Sequence, residues 1–117
     1  MLFHCNIGRD RTGVFAALLL GVLGVPPETI VQDAELTNVY GAEAPSLSEY
    51  IPELQKTGEP PPNLETLRRH VHTDTAPLRA TLEMINNKYG SVEAYLLQVI
   101  KLTPKEISAV RARLLEP

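Results

Sequence analysis

Apolar positions recur along this chain at helical spacing, in blocks punctuated by proline and glycine. The first run, Met1-Leu2-Phe3-His4, is short and continuous, as at the end of a buried strand. A polar, glycine-bearing turn from Asn6 to Asp10 follows. From Arg11 to Leu23 the chain is rich in Ala, Leu and Val, and its apolar residues, Val14, Phe15, Leu18, Leu19 and Leu20 among them, run nearly all round the helical wheel. That pattern predicts a central helix buried on several sides. Gly24 stands where the residue after a helix C-cap belongs, with Pro26-Pro27 beyond it.

A second helix is predicted from Pro27, with Glu28 in its first turn and Ile30, Val31 and Ala34 facing inward, fading around 38–41. Residues 41–63 carry Gly41 and Gly58 with Pro45, Pro52, Pro60, Pro61 and Pro62. This stretch reads as an irregular insertion or lid with a short helical turn near Ser48 to Leu54, closed by a rigid Pro60-Pro61-Pro62 spacer. Leu64, Leu67 and Val71 share a helical face. Leu78, Leu82, Ile85 and Tyr89 do so again, and Gly90 ends that helix. Val92, Tyr95, Leu96 and Val99 repeat the spacing behind a Ser91 cap. Thr103-Pro104-Lys105-Glu106 is a capping box with proline at the first helical position, and the helix it opens is expected to bury Ile107, Val110 and Leu114. The fold class is therefore mostly α, about five to six helices with a short N-terminal strand stub. Residues 1–117 are expected to form one partial domain, with a loop and central helices over 1–40, the Pro-rich insertion over 41–63 and C-terminal helices over 64–117.

Composition narrows the function classes. With 44% hydrophobic and 21% charged residues the chain is neither disordered nor membrane-spanning in character. Eleven basic against fourteen acidic residues leave a net charge of −3, so no global basic field recruits nucleic acid. The longest apolar run, Val14 to Leu20, is far too short for a transmembrane segment. A single cysteine, Cys5, makes no internal disulfide. No charged leader with a cleavage site precedes the apolar positions.

The chemistry is concentrated in His4-Cys5-Asn6-Ile7-Gly8-Arg9-Asp10-Arg11-Thr12-Gly13. A cysteine is followed after five residues by an arginine and then a hydroxyl residue, between an apolar run and a helix. A loop that rolls its amide N–H groups inward and ends at a helix N-terminus is an anion cradle. Arg11 at its end can present a bidentate fork to a phosphoryl group. The same field favours the thiolate of Cys5, as in cysteine sites whose pKa falls to roughly 3.5–7.5, and Thr12 can donate its hydroxyl to the sulfur. A thiolate so placed can attack phosphorus and form a cysteinyl-phosphate that water clears. The nucleotide-binding G-x-x-x-x-G-K-[ST] loop and the G-x-S-x-G elbow are both missing.

This segment resembles the active-site loop of cysteine-dependent protein tyrosine phosphatases, and more narrowly the bacterial tyrosine and phosphoinositide phosphatases whose loop reads H-C-x-x-G-K-D-R-T-G. The run Ala16 to Pro26 is similar to that family's next helix and turn. Tyr89-Gly90-Ser91-Val92-Glu93-Ala94-Tyr95-Leu96 and Thr103-Pro104-Lys105-Glu106-Ile107 resemble its C-terminus. The resemblance covers 1–40 and 74–116, with 41–73 corresponding to a variable lid region. It implies phosphomonoester hydrolysis without metal or other cofactor, on phosphotyrosine proteins and, in parts of the family, on phosphoserine/threonine or phosphoinositides. It makes Cys5 the nucleophile, Arg11 the phosphate clamp and Asp10 the general acid. Asn6, Ile7, Gly8, Arg9, Asp10, Arg11 and Thr12 become the phosphate-binding residues. Arg9 stands where the family usually has lysine, and Ile7 is bulkier than the residue common there. The resemblance further implies the C-terminal part of an α/β enzyme whose N-terminal half supplies the remaining strands.

Plainer roles stand beside these. Asp10 also suits a helix N-cap, Arg9 a solvated surface or a steering charge, and His4 an orienting hydrogen bond. His70 and His72, two positions apart, point to different faces of a helix, so a metal site is not expected. Arg68-Arg69 reads as a solvated face, and Tyr89 and Tyr95 as core. The alternative function is a catalytically inactive fragment or helical anion-binding module that needs an N-terminal half in trans, or that self-associates through Phe3, Phe15 and Leu19. A thiol that must stay reduced makes the cytoplasm the default location, and a secreted full-length form is compatible with it.

Overall fold

The computed structural model describes residues 2–5, 8–41, 56 and 72–116. Asn6, Ile7, nearly all of the Pro-rich stretch, the face of Leu64, Leu67 and Val71, and the positions Arg68, Arg69 and His70 lie outside them. The described residues form five helices: α1 (Asp10–Val22), α2 (Pro27–Gly41), α3 (Ala76–Tyr89), α4 (Val92–Tyr95, widening into a π-helical turn over Leu96–Ile100) and α5 (Pro104–Leu114). The mostly-α expectation holds. None of these helices is long and apolar enough to cross a membrane.

Local sequence sets most boundaries. Gly24 takes φ 91°, and two hydrogen bonds, Gly24 N to Gly21 O and Val25 N to Leu20 O, end α1 in a Schellman motif. Pro27 opens α2, where its missing N–H costs nothing. Asp74 Oδ1 accepts from Ala76 N at 3.0 Å and so satisfies an orphan donor at the start of α3. Ser91 Oγ accepts from Ala94 N at 3.0 Å. The Thr103–Glu106 capping box forms in both directions, with Thr103 N donating to Glu106 Oε2 at 2.7 Å and Glu106 N to Thr103 Oγ1 at 3.3 Å.

The core is a single apolar cluster of Ala17, Val22, Ile30, Val31, Leu82, Ile85, Val92, Leu96 and Ile107. α1 lies against α2 and α4, α2 against α3, and α3 against α4. Gly21 sets the α1–α4 approach, since a Cβ there would sit 2.8–3.1 Å from the Val92 side chain. α5 is tied down by Ile107 and by Arg111, whose Nε donates to Val22 O at 2.9 Å and whose Nη2 donates to Glu93 Oε2 at 2.6 Å.

Three expectations need correction. The strand stub does not form, and no strand occurs among the described residues. A strand is stabilised by a ladder partner, and here Phe3 instead stacks edge-on against Phe15, with centroids 4.6 Å apart. α1 is packed on several sides only over its second half, where Leu18, Leu19 and Leu20 join the core, and its first half lies open. Ala17 and Val22 are enclosed, whereas Val14 and Phe15 are 49% and 47% exposed. Phe3 is exposed beside Phe15, while Leu19 packs on the core. On α5, Ile107 is buried and Val110 half-buried, but Leu114 lies open because the cluster ends before it.

Candidate active site

Cys5 lies half-buried just ahead of α1. Its backbone N–H donates to Thr12 Oγ1 at 2.9 Å, folding the entering chain back onto the first turn of the helix. The thiol's pKa is lowered from 9.0 to about 6. The chief cause is the Thr12 hydroxyl, then the Thr12 N–H; the amides of Arg9 and Gly8 add to the effect, and burial opposes it. Hydrogen bonds to a charged form favour that form, so this sulfur is mostly thiolate at neutral pH. The loop makes the turn through Gly8, at φ 67° in the left-handed region. A Cβ there meets nothing within 4 Å, so glycine serves backbone conformation and not space. His4 Nδ1 donates to Cys5 O at 3.0 Å, an exposed bond to the carbonyl of its own neighbour.

The three charged residues of the loop part company. Arg9 precedes α1 and turns its guanidinium onto the next residue, Nε to Asp10 Oδ1 at 3.0 Å and Nη2 to Asp10 Oδ2 at 3.2 Å. Arg9 thus occupies the N-cap position, and Asp10 is the first helical residue instead of the cap. Arg11, one position further, is exposed and holds no ion pair among the described residues. The structure therefore gathers Gly8, Arg9 and Thr12 around the Cys5 sulfur and sets Asp10 and Arg11 at the helix entrance.

A cleft of about 410 Å³ opens beside the loop, between α1, α2 and the start of α3. Gly8, Arg9 and Asp10 line one wall; Asp33, Thr37 and Thr73 are on the other. Its far edge is held by Asn38, whose Nδ2 donates to Thr73 O at 3.0 Å while Thr73 N donates to Asn38 Oδ1 at 2.6 Å. Neither residue carries a sequence signal, because the pair spans 35 positions. No group of three or more His, Cys, Asp or Glu side chains suited to a metal ion occurs among the described residues, and His72 is exposed.

Known proteins similar to this chain are tyrosine phosphatases by name. The chain is 31% identical over 114 residues to a tyrosine-protein phosphatase of Nostoc commune, covering 97% of this chain and 38% of that protein. It is 29% identical over 102 residues to a protein of Cupriavidus necator provisionally named a tyrosine-protein phosphatase, covering 87% and 36%. It thus spans somewhat over a third of the length of these relatives. No solved structure matches it significantly. The model of the tyrosine phosphatase family matches residues 1–116, with the Cys5 loop at one end of the match and the capping box of α5 near the other, and the chain belongs to that family.

Proposed function

We propose that this chain carries the phosphomonoester chemistry of a tyrosine phosphatase, with Cys5 as nucleophile. The observation that carries the reading is the set of donors on the Cys5 sulfur: the Thr12 hydroxyl and the amides of Thr12, Arg9 and Gly8, which lower its pKa to about 6. Inward-turned amides at a helix N-terminus that stabilise a thiolate also suit the oxygens of a phosphoryl group.

In the first step the Cys5 thiolate attacks phosphorus. The S–P bond forms as the bond to the leaving oxygen breaks, and the Asp10 carboxyl gives that oxygen its proton. In the second step water attacks the cysteinyl-phosphate and passes a proton to the Asp10 carboxylate. The S–P bond breaks, releasing phosphate and the thiolate. Arg11, without an ion pair among the described residues, clamps the phosphoryl oxygens, and the backbone from Asn6 to Arg11 supplies the cradle. Phosphotyrosine proteins are the substrate class, with phosphoserine/threonine and phosphoinositide esters as further candidates.

The test is release of p-nitrophenol from p-nitrophenyl phosphate by the purified chain, beside Cys5→Ser and a vanadate-inhibited sample. Turnover abolished in both controls supports the reading. A rate no higher than that of Cys5→Ser refutes it for this chain, and retained vanadate binding would then assign the anion-binding module instead.

A further inference from the structure

We infer that Arg9 is the positioning residue for Asp10: its guanidinium fork fixes the edge from which the Asp10 carboxyl delivers its proton. The inference rests on the phosphatase reading above and adds a division of labour between the two arginines of the loop.

Both carboxylate oxygens of Asp10 are engaged by one guanidinium, at 3.0 and 3.2 Å. Two parallel N–H···O bonds make guanidinium and carboxylate nearly coplanar and remove the freedom of the carboxyl to spin about its last bond. The anchor is the sheltered partner. The Arg9 side chain is 22% exposed against 69% for Asp10, so a held base presents an accessible acid. The backbone beneath is fixed as well, because Asp10 is the first residue of α1 and Gly13 N donates to Arg9 O at 2.8 Å. Each oxygen keeps lone pairs on the edge away from Arg9, which stays open to a hydrogen-bond partner.

The fork also discriminates between the ends of the proton transfer. A guanidinium binds a carboxylate more strongly than a carboxylic acid. The interaction therefore grows as the O–H bond of Asp10 breaks and the leaving oxygen takes the proton. Lysine, the residue usual at this position in the loops this one resembles, is a point charge and cannot hold a carboxyl plane. Arg11 is left for the phosphoryl oxygens.

The experiment is a leaving-group series on the full chain. kcat and KM are measured for 2,4-dinitrophenyl phosphate, whose leaving oxygen needs no proton, and for phenyl phosphate, whose leaving oxygen does. Parent, Arg9→Met and Arg9→Lys are compared, with vanadate inhibition constants alongside. The expected result for Arg9→Met is a loss of about 10- to 100-fold in kcat/KM on phenyl phosphate, against a change within about threefold in kcat/KM on the dinitrophenyl ester, because kcat/KM stops at leaving-group departure and excludes the shared hydrolysis of the cysteinyl-phosphate. Vanadate inhibition stays level, and Arg9→Lys recovers only part of the loss. Equal losses in kcat/KM on both esters, or a raised vanadate constant with raised KM, overturn the inference and make Arg9 a phosphate ligand. A parent no faster than Cys5→Ser on the dinitrophenyl ester overturns the phosphatase reading itself, and this inference falls with it.

Discussion

Asn38 and Thr73 grip each other through both polar atoms of one side-chain amide and both of one peptide backbone, at 3.0 and 2.6 Å. The amide behaves as a stretch of strand edge would, and it seats the chain entering α3 against the last turns of α2. Thr75 reinforces the seat by donating its hydroxyl to Glu35 Oε1 at 3.0 Å. The cleft beside the Cys5 loop owes its outer wall to this seat.

Replacing Asn38 by Ala leaves a partly buried N–H and C=O of Thr73 without partners. The expected cost is about 1–3 kcal/mol of folding stability, since stranded groups lose more than a hydrogen bond nets. Urea denaturation followed by circular dichroism measures it. An unchanged midpoint would show that the seat contributes nothing.

At Gly21 two effects oppose. Alanine improves helix propensity by about 1 kcal/mol, yet its Cβ meets the Val92 side chain at 2.8–3.1 Å. Val92 is buried and β-branched, so it cannot swing aside. Overpacking of this kind costs about 1–3 kcal/mol. Gly21→Ala is expected to lower the melting temperature, and any rise would mean that α1 and α4 can part without loss.

The Thr12 hydroxyl is the leading cause of the lowered Cys5 pKa. Iodoacetamide alkylation measured against pH should follow an apparent pKa of about 6 in the parent chain. In Thr12→Val the midpoint should rise toward the ordinary thiol value, because a donor to the thiolate is gone while the amides remain. If the midpoints coincide, Thr12 does not act on the sulfur.

The Thr103 backbone N–H and then its hydroxyl hold the Glu106 carboxyl below its usual pKa. A group depressed in the folded state contributes stability that is present above its unfolded pKa and is lost as pH falls through the folded value. The stability difference between parent and Glu106→Gln should therefore be largest at neutral pH and shrink under acid conditions. Urea midpoints at pH 7 and at pH 3 decide it; a difference independent of pH would count against the ionised cap.

What was legible in the sequence was local. Gly24, Pro27, Gly90, Ser91 and the Thr103–Glu106 pair each mark a helix end within a few residues of the group they satisfy, and each stands where expected. The groups that lower the Cys5 pKa, from Gly8, Arg9 and Thr12, are likewise close in sequence, within one loop. What escaped was decided by packing across distance. Arg111 reaches Val22 O over 89 positions, and Asn38 reaches Thr73 over 35. The widening after Tyr95 escaped as well: Leu96–Ile100 reads as ordinary helix in its spacing. It ends with Lys101 at φ 66° and with Leu102 N donating to Leu96 O, a closure with no residue signature. The strand stub failed because apolar character at Leu2 and Phe3 announces burial without naming the partner.

The stack of Phe3 on Phe15 and the bond from Cys5 to Thr12 have a kinetic consequence. Both join the chain before the loop to the helix after it, the second across only seven positions. Closing so short a ring carries little entropic penalty and proceeds far faster than assembly of a core from distant helices. These two contacts can therefore open and re-form on their own, while α2 to α5 stay packed. Amide exchange at Cys5 would report that local breathing, at a lower free energy than exchange at Val31 or Leu82 in the core.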